Sequence, residues 1–408
     1  MKSEIIILGA GPAGCGAALF LAKAGIHSTL IDKHNFPRDK VCGDALSGKV
    51  VEVLKKLDPE WHSKLAGDDR ILGSWGVRFC APDGNELRVP FRRKADEQQP
   101  APGFITPRLH FDNLLVEEVR VNNRIAFIEG EEIRDYEKEN EEWVLTSKSG
   151  KRFSGKLIIA ADGPLSGFAR GWGGLVTEPE HNCFGLRAYY KGVKEMDSEH
   201  FIELHFLPEI LPGYFWIFPL PDGRANVGIG MRADKMQQKK INLKKTLSEI
   251  IHHHPKVSRR FADAIAEDGI RQWSLPLGSK KRRISGDGYM LAGDAAQLVD
   301  PFTGEGIGNA LMSGMFAAEV AAIALKSGCF SSSQLSAYDE KVYNRLGNEF
   351  TLSYRMQQLV NYPFLFNFVV RKANRNKHLR EMISCMFEDL DLRSNLKNPL
   401  FYWKILFD

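Results

Sequence analysis

Gly9-Ala10-Gly11-Pro12-Ala13-Gly14 has the residue types and spacing of a GxGxxG turn, and it follows the apolar run Ile5–Leu8. The chemistry this spacing serves is the binding of a pyrophosphate. The first glycine allows a tight turn, the second lets phosphate approach the backbone, and the third permits close helix-to-strand packing. Phosphates then meet the unpaired N–H groups of a helix that starts around Pro12 and Ala13, together with the positive end of its dipole. Asp32 closes the next apolar run, where an acid accepts hydrogen bonds from an adenosine ribose, and Lys33 follows it.

The turn alone does not say which dinucleotide is bound, and two distant segments bear on that choice. Ala161-Asp162-Gly163 ends an apolar run, and so does Gly293-Asp294. The second is followed by Pro301-Phe302-Thr303-Gly304-Glu305-Gly306-Ile307-Gly308 and a helical stretch. Asp294 is suited to ribityl hydroxyls. A helix starting near Gly306 would turn its positive end toward a flavin ring and stabilise negative charge there. The cofactor expected on these grounds is FAD. Tyr214, Trp216 and Phe218 sit at alternate positions between Pro212 and Pro219, so a strand puts all three on one face. That face would be an apolar wall with two polar tips, suited to an extended hydrocarbon. Cys42 follows Arg38, Asp39 and Lys40 in a loop, where cations favour a thiolate.

The elements that must position these residues follow from periodicity and turn signals. A strand at 5–8, a helix over 13–24 and a strand at 27–31 make the minimal parallel crossover. Strands follow at 71–80 and 85–91, joined through Asp83-Gly84, and then a helix from Arg108 to Arg120. Further strands are expected near 125–129, 132–137, 142–147 and 152–160. Residues 183–232 read as strands and 236–264 as helix. A strand at 288–292, a glycine-rich loop over 293–308 and a helix from Asn309 to Lys326 complete the pattern. The expected fold is α/β. A discontinuous Rossmann-type FAD-binding domain takes residues 1–70, 101–175 and 270–335, a second, antiparallel-sheet substrate domain takes 71–100 and 176–269, and 336–408 form a helical C-terminal region.

Composition narrows the partners. Hydrophobic residues are 43% and charged residues 26% of 408, and 55 basic against 51 acidic residues leave a net charge of +4, so nucleic acid is not an expected partner. No export leader is read at the amino terminus, and the most apolar window, Ala317 to Leu325, is short for a membrane span and contains Glu319. Six cysteines without paired spacing suggest neither a disulfide framework nor zinc, and His252, His253 and His254 are consecutive and would diverge on a helix. No metal is expected, and the cytoplasm is the expected compartment. Phe364, Leu365, Phe366 and Phe368 precede Arg371, Lys372 and Arg375. This tract reads as a lid on the substrate domain or as a peripheral membrane contact.

The dinucleotide turn with Asp32, the Ala161-Asp162-Gly163 segment and Gly293-Asp294 resemble the fingerprints of flavoproteins of the para-hydroxybenzoate hydroxylase superfamily, over residues 1 to about 330. Within it, Lys40 to Leu46, Pro212 to Pro219 and Ala225 to Gly230 resemble the geranylgeranyl reductase family. The resemblance implies that Cys42 and Gly43 lie near the flavin, that Arg108 lies near the FAD phosphates or ribityl chain, and that Tyr214 and Trp216 line a lipid cavity. It implies reduction of carbon-carbon double bonds in an isoprenoid or lipid-like substrate, with NAD(P)H or a reduced carrier as transient donor. Ala45 and the Ile307-Gly308-Asn309 run depart from that family's pattern where substrate would meet flavin. The alternative on the same fold is a monooxygenase or halogenase working through a flavin hydroperoxide on an aromatic or polyketide-like substrate. Flavin halogenases carry WxWxIP where this chain has Tyr214, Trp216, Phe218 and Pro219, which favours the reductase.

Overall fold

The computed structural model describes residues 1–91 and 100–385. A six-stranded sheet runs in the order Ser285–Gly286, Tyr289–Leu291, Leu157–Ala160, Ile5–Leu8, Ser28–Ile31, Ile125–Ile128. Every neighbouring pair is parallel except the first. Its two central strands are fully buried tetrads of aliphatic residues, as a sheet covered on both faces requires. Register brings Leu8 opposite both Ile31 and Ala160, and Ala160 opposite Leu291. The dinucleotide turn, Asp32, Asp162 and Asp294 therefore all leave the sheet at one carboxyl edge, the place where open parallel sheets bind ligands.

The helix Pro12–Lys23 lies against Ile307–Ser327 at backbone distance. A Cβ on Gly314 would stand 2.2 Å from the Ala13 carbonyl oxygen, and one on Gly16 would touch Leu311. By length and hydropathy alone Ile307–Ser327 is apolar enough to cross a bilayer, contrary to the window counted above, but 78% of its most apolar window is buried inside the protein. Its apolarity serves the core between Pro12–Lys23 and Ser332–Leu359.

An eight-stranded sheet carries the second half of the molecule. It is antiparallel except that Ile202–His205 and Gly76–Cys80 run parallel. Three expectations need correction here. The strand expected over 71–80 is two strands: Leu72–Ser74 joins Gly103–Ile105 and Ala45–Leu46 in a small sheet, and Gly76–Cys80 joins the large one. The strand expected over 152–160 likewise divides into Arg152–Gly155, on a three-stranded antiparallel sheet, and Leu157–Ala160. In both cases two strands are separated by a single residue, so their alternation reads as one run. The boundary expected at 270 falls one strand early, because Arg271–Pro276 pairs with Asn182–Lys191.

Beyond Ser332–Leu359 the chain forms Pro363–Arg375 and Lys377–Cys385, which pack on Glu86–Pro90. Phe366 and Val370 are buried in the core of the large sheet, with the Phe366 ring 4.7 Å from that of Phe206. The rest of the expected helical tail, 386–408, lies outside the described residues.

The close approach at Gly314 makes a clear prediction. Gly314→Ala adds helix propensity but forces a methyl group onto a backbone oxygen, so denaturant unfolding should show a loss of about 1–3 kcal/mol, as overpacking usually costs. Unchanged stability would mean that the two helices are not in contact there.

Candidate functional site

Two concavities meet at the carboxyl edge of the parallel sheet. The first is a long groove lined by Gly9, Gly11, Pro12, Ala13, Asp32 and Lys33, and further along by Arg108, Asp162, Gly163, Gly293 and Asp294. The second is an apolar cavity between the large sheet and the small one. Cys42, Gly43, Tyr214, Trp216 and Phe218 line it, with Gly304, Gly306 and Ile307. Val41 and Trp273 are in the walls of both. Of the residues expected around a cofactor, Cys42, Gly43, Gly304, Gly306 and Ile307 thus face the cavity side of the junction, Gly14 lines neither concavity, and the others line the groove.

Local folding explains the groove. Gly9 has φ +89°, and its N–H donates to the Ile31 carbonyl at 2.7 Å. A Cβ on Gly14 would collide with the Gly9 oxygen at 1.8 Å, whereas one on Gly11 would meet only an Arg38 nitrogen at 3.7 Å. Gly14 is required by packing, and Gly11 opens onto the groove. No side chain caps the helix that starts at Pro12, so its amino-terminal end is available to an anion. Asp32 accepts the Ala10 N–H at 2.6 Å and the His34 N–H at 2.8 Å, so it shapes the loop. Asp162 has a buried Oδ1 with no partner, and burial pushes its pKa up to about 6. Asp294 pairs with Lys40 at 2.9 Å.

Three expected roles change. Arg108 is buried, and Asp112 holds its guanidinium through two bonds of 2.6 and 2.8 Å; Arg38 reaches the same Asp112 at 2.6 Å. Most of the charge expected to face phosphate is therefore met inside the protein. Burial pushes the Cys42 thiol up despite Arg108 and Lys40, so the thiolate expected from neighbouring cations is not supported. The helix at Ile307 presents a partly occupied end, because the Glu305 side chain accepts the Gly308 N–H at 2.6 Å.

The aromatic strand Tyr214–Pro219 turns Tyr214, Trp216 and Phe218 into the cavity, and its two polar tips are already engaged. The Tyr214 hydroxyl donates to the Thr303 carbonyl at 2.9 Å, and Trp216 Nε1 donates to Asn226 Oδ1 at 2.8 Å. Trp216 is also packed tightly, since a Cβ on Gly228 of the next strand would lie 2.1 Å from its ring. It is cavity wall and core at once. The Asn226 amide continues to the Cys42 carbonyl and to Asp44, each at 2.7 Å. Sequence reasoning assigned nothing to Asp44, Asn226, Tyr189 or Trp273. Asp44 lies within the quoted cysteine segment, but only folding shows that its carboxylate is buried against a neighbouring sheet.

The family described as FAD binding domain matches residues 2–346. The chain belongs to that family. Among curated relatives, a digeranylgeranylglycerophospholipid reductase 2 of Methanopyrus kandleri is 29% identical over 375 residues, covering 88% of this chain and 87% of its own length. A menaquinone reductase of Mycolicibacterium smegmatis is 27% identical over 371 residues, covering 89% and 85%. Among solved structures, a geranylgeranyl bacteriochlorophyll reductase-like protein of Thermoplasma acidophilum superposes with a TM-score of 0.74 at 24% identity over 89% and 91% of the two chains. The flavin-dependent brominase Bmp2 gives 0.75 at 20% identity over 95% of each. These last two likenesses show the shared fold.

The residues present fit FAD. The open face of Gly11, the uncapped helix start and the unpartnered Asp162 oxygen offer the groove's donors and acceptors to its phosphates and sugars. The two glycines separate binding from folding. Gly11→Val should keep its melting temperature without ligand and lose FAD, because the protein itself leaves room for the side chain. Gly14→Ala should lose stability by about 1–3 kcal/mol. Absorbance at the flavin band and thermal denaturation check both, and a folded Gly11→Val protein with full FAD occupancy would displace the groove from its role.

Proposed function

We propose that this FAD-dependent oxidoreductase reduces carbon-carbon double bonds of an isoprenoid or similar lipid. The observation that carries the reading is the junction of the FAD groove with a cavity walled by Tyr214, Trp216, Phe218, Phe91, Phe104 and Leu204. Such a lining selects a hydrocarbon, and the polar tips of Tyr214 and Trp216 are engaged within the protein. The names of the curated relatives point the same way.

Reduced FAD supplies a hydride. An isolated alkene accepts hydride poorly, so the chain's part is to exclude water and hold the double bond in line. The aromatic strand provides a rigid wall because Trp216 is fastened to Asn226 and seated on Gly228. Cys42 stands on the same wall as a neutral thiol, a positioning group for the chain of the substrate. Reduced nicotinamide or a reduced carrier protein docks transiently to return electrons.

The C-terminal helices bring the cavity to a lipid surface in the cytoplasm. Pro363–Arg375 buries Phe366 and Val370 against the large sheet and leaves Tyr362, Phe364 and Phe368 exposed beside Arg371 and Arg375. One face is thus a lid and the opposite face a peripheral membrane contact.

Two measurements test this reading. After anaerobic photoreduction, addition of a polyprenyl lipid should reoxidise the flavin and add two mass units per double bond. Trp216→Ala should retain FAD but slow that step, and should also cost about 3–5 kcal/mol of stability, because the residue is core as well as wall. A long-lived oxygen adduct with hydroxylated or halogenated product would instead assign the protein to the alternative chemistry. In flotation with anionic vesicles, the Phe364→Ser, Phe368→Ser double variant should bind less than wild type, and equal binding would remove the membrane contact.

A further inference from the structure

The hydride accounts for only half of the addition to a double bond, and the second carbon needs a proton. Among the described residues, four titratable side chains line the cavity: Cys42, Asp44, Tyr214 and Glu305. Tyr214 spends its hydroxyl proton on the Thr303 carbonyl, and burial weakens it further as an acid. Burial likewise holds the Cys42 proton in place. Burial raises the Glu305 carboxyl, Lys49 opposes it, and its Oε1 accepts the Gly308 N–H at 2.6 Å. Asp44 differs from all three in its bond to the partly exposed Tyr189.

Asp44 is fully buried in a left-handed conformation at φ +68°. The Thr106 N–H donates to its carbonyl at 3.0 Å, which holds the backbone in place. Its Oδ2 accepts the Tyr189 hydroxyl and the Asn226 amide, both at 2.7 Å, while Oδ1 has one long contact of 3.3 Å, from the Arg108 N–H. One carboxylate oxygen is therefore firmly held and the other lightly engaged, on a residue that lines the cavity. Tyr189 belongs to the strand Asn182–Lys191 and is partly exposed, so its hydroxyl joins the buried carboxyl to the side of the sheet that solvent reaches.

We propose that Asp44 is the proton donor of the reduction and that Tyr189 is the group through which it is recharged. This rests on the reductase reading above. One alkene carbon receives the hydride from reduced flavin. The π pair forms a C–H bond to the Asp44 proton at the other carbon, breaking the carboxyl O–H bond and leaving a carboxylate. Water gives a proton to the Tyr189 hydroxyl as that hydroxyl passes its own to the carboxylate, a concerted relay that forms no tyrosinate, which burial and Asp44 both disfavour, and the reduced nicotinamide or carrier restores the electrons. The groups facing Asp44 are Asp39 and Cys42 on its own loop, Arg108 on the helix Arg108–Arg120, and Arg187 and Tyr189 on the sheet. Burial outweighs the bonds from Tyr189 and Asn226 and pushes the carboxyl up to about 6, so a protonated fraction persists toward neutral pH.

The test uses the FAD-loaded protein with Asp44→Asn, Tyr189→Phe and Glu305→Gln. Asparagine tolerates the left-handed backbone, so the first variant should fold and keep FAD. The infrared difference between wild type and Asp44→Asn, in which Asp162 cancels, should show a carboxyl band that fades as pH rises through about 6, and that band should shift in Tyr189→Phe. This readout needs no turnover. In anaerobic single turnovers with a polyprenyl lipid, wild-type reoxidation should slow as pH rises through the same range. Asp44→Asn should be slower by about a hundredfold or more and lose that dependence, the usual scale for a lost general acid. Tyr189→Phe should manage a first turnover and lag on later ones. An Asp44→Asn protein that turns over within about twofold of wild type with an unchanged pH profile, or that releases FAD, would overturn the assignment, as would a loss confined to Glu305→Gln. A wild type that reduces no isoprenoid would sink the reductase reading and the proton transfer with it, whereas an active wild type matched by Asp44→Asn would sink only the latter.

Discussion

The loop from Arg38 to Ala45 is held from both sides, and the shape of the site depends on that clamp. Asp39 pairs with the fully buried Arg187 at 2.6 Å, and Asp44 accepts from Tyr189 on the same strand. Arg187 in turn holds Asp268 at 2.8 Å and lies over the Tyr189 ring at 3.9 Å. On the other side, Arg38 reaches Asp112, and Lys40 reaches Asp294. A buried charge is tolerated only when paired, so each bond makes the others necessary. The parallel sheet with its dinucleotide turn and the large sheet with its aromatic strand are thereby joined through one segment, and the cofactor groove opens into the substrate cavity at Val41.

Burial, more than neighbouring charge, sets the chemistry of this junction. Cys42 lies near two cations, yet its thiol moves up, because removing a thiolate from water costs more than those cations return. Asp44 and Asp162 both rise to about 6 for the same reason. Asp112 lies between Arg108 and Arg38 and is held down, since two guanidinium groups at hydrogen-bond distance outweigh its burial. The site therefore raises its buried acids, so that a protonated fraction of Asp44 persists beside the hydrocarbon cavity, and keeps its arginines neutralised by carboxylates.

Much of the groove was legible in the sequence because its parts are local. The spacing of Gly9, Gly11 and Gly14 encodes a turn whose geometry does not depend on the rest of the chain, and Asp32, Asp162 and Asp294 each end an apolar run. The alternation of Tyr214, Trp216 and Phe218 likewise determined a shared face. The divisions at 75 and 156 were not legible, because a strand that changes sheets after one residue keeps its alternation while its partners change. Nor was the role of Ile307–Ser327, whose composition suits a bilayer and a core equally well.

The sequence by itself determined the fold class, the FAD turn and the apolar character of the substrate wall, since each follows from periodicity or from spacing within a few residues. Only the tertiary structure decided which charges are spent. Arg108 meets Asp112 four residues on, but Asp39 meets Arg187 across 148 positions, and Asp44 meets Asn226 across 182. An acidic residue in a loop has the same formula whether it is solvated or sealed. Its acidity is settled by the dielectric and the donors around it, and those arrive from strands that no local pattern brings together.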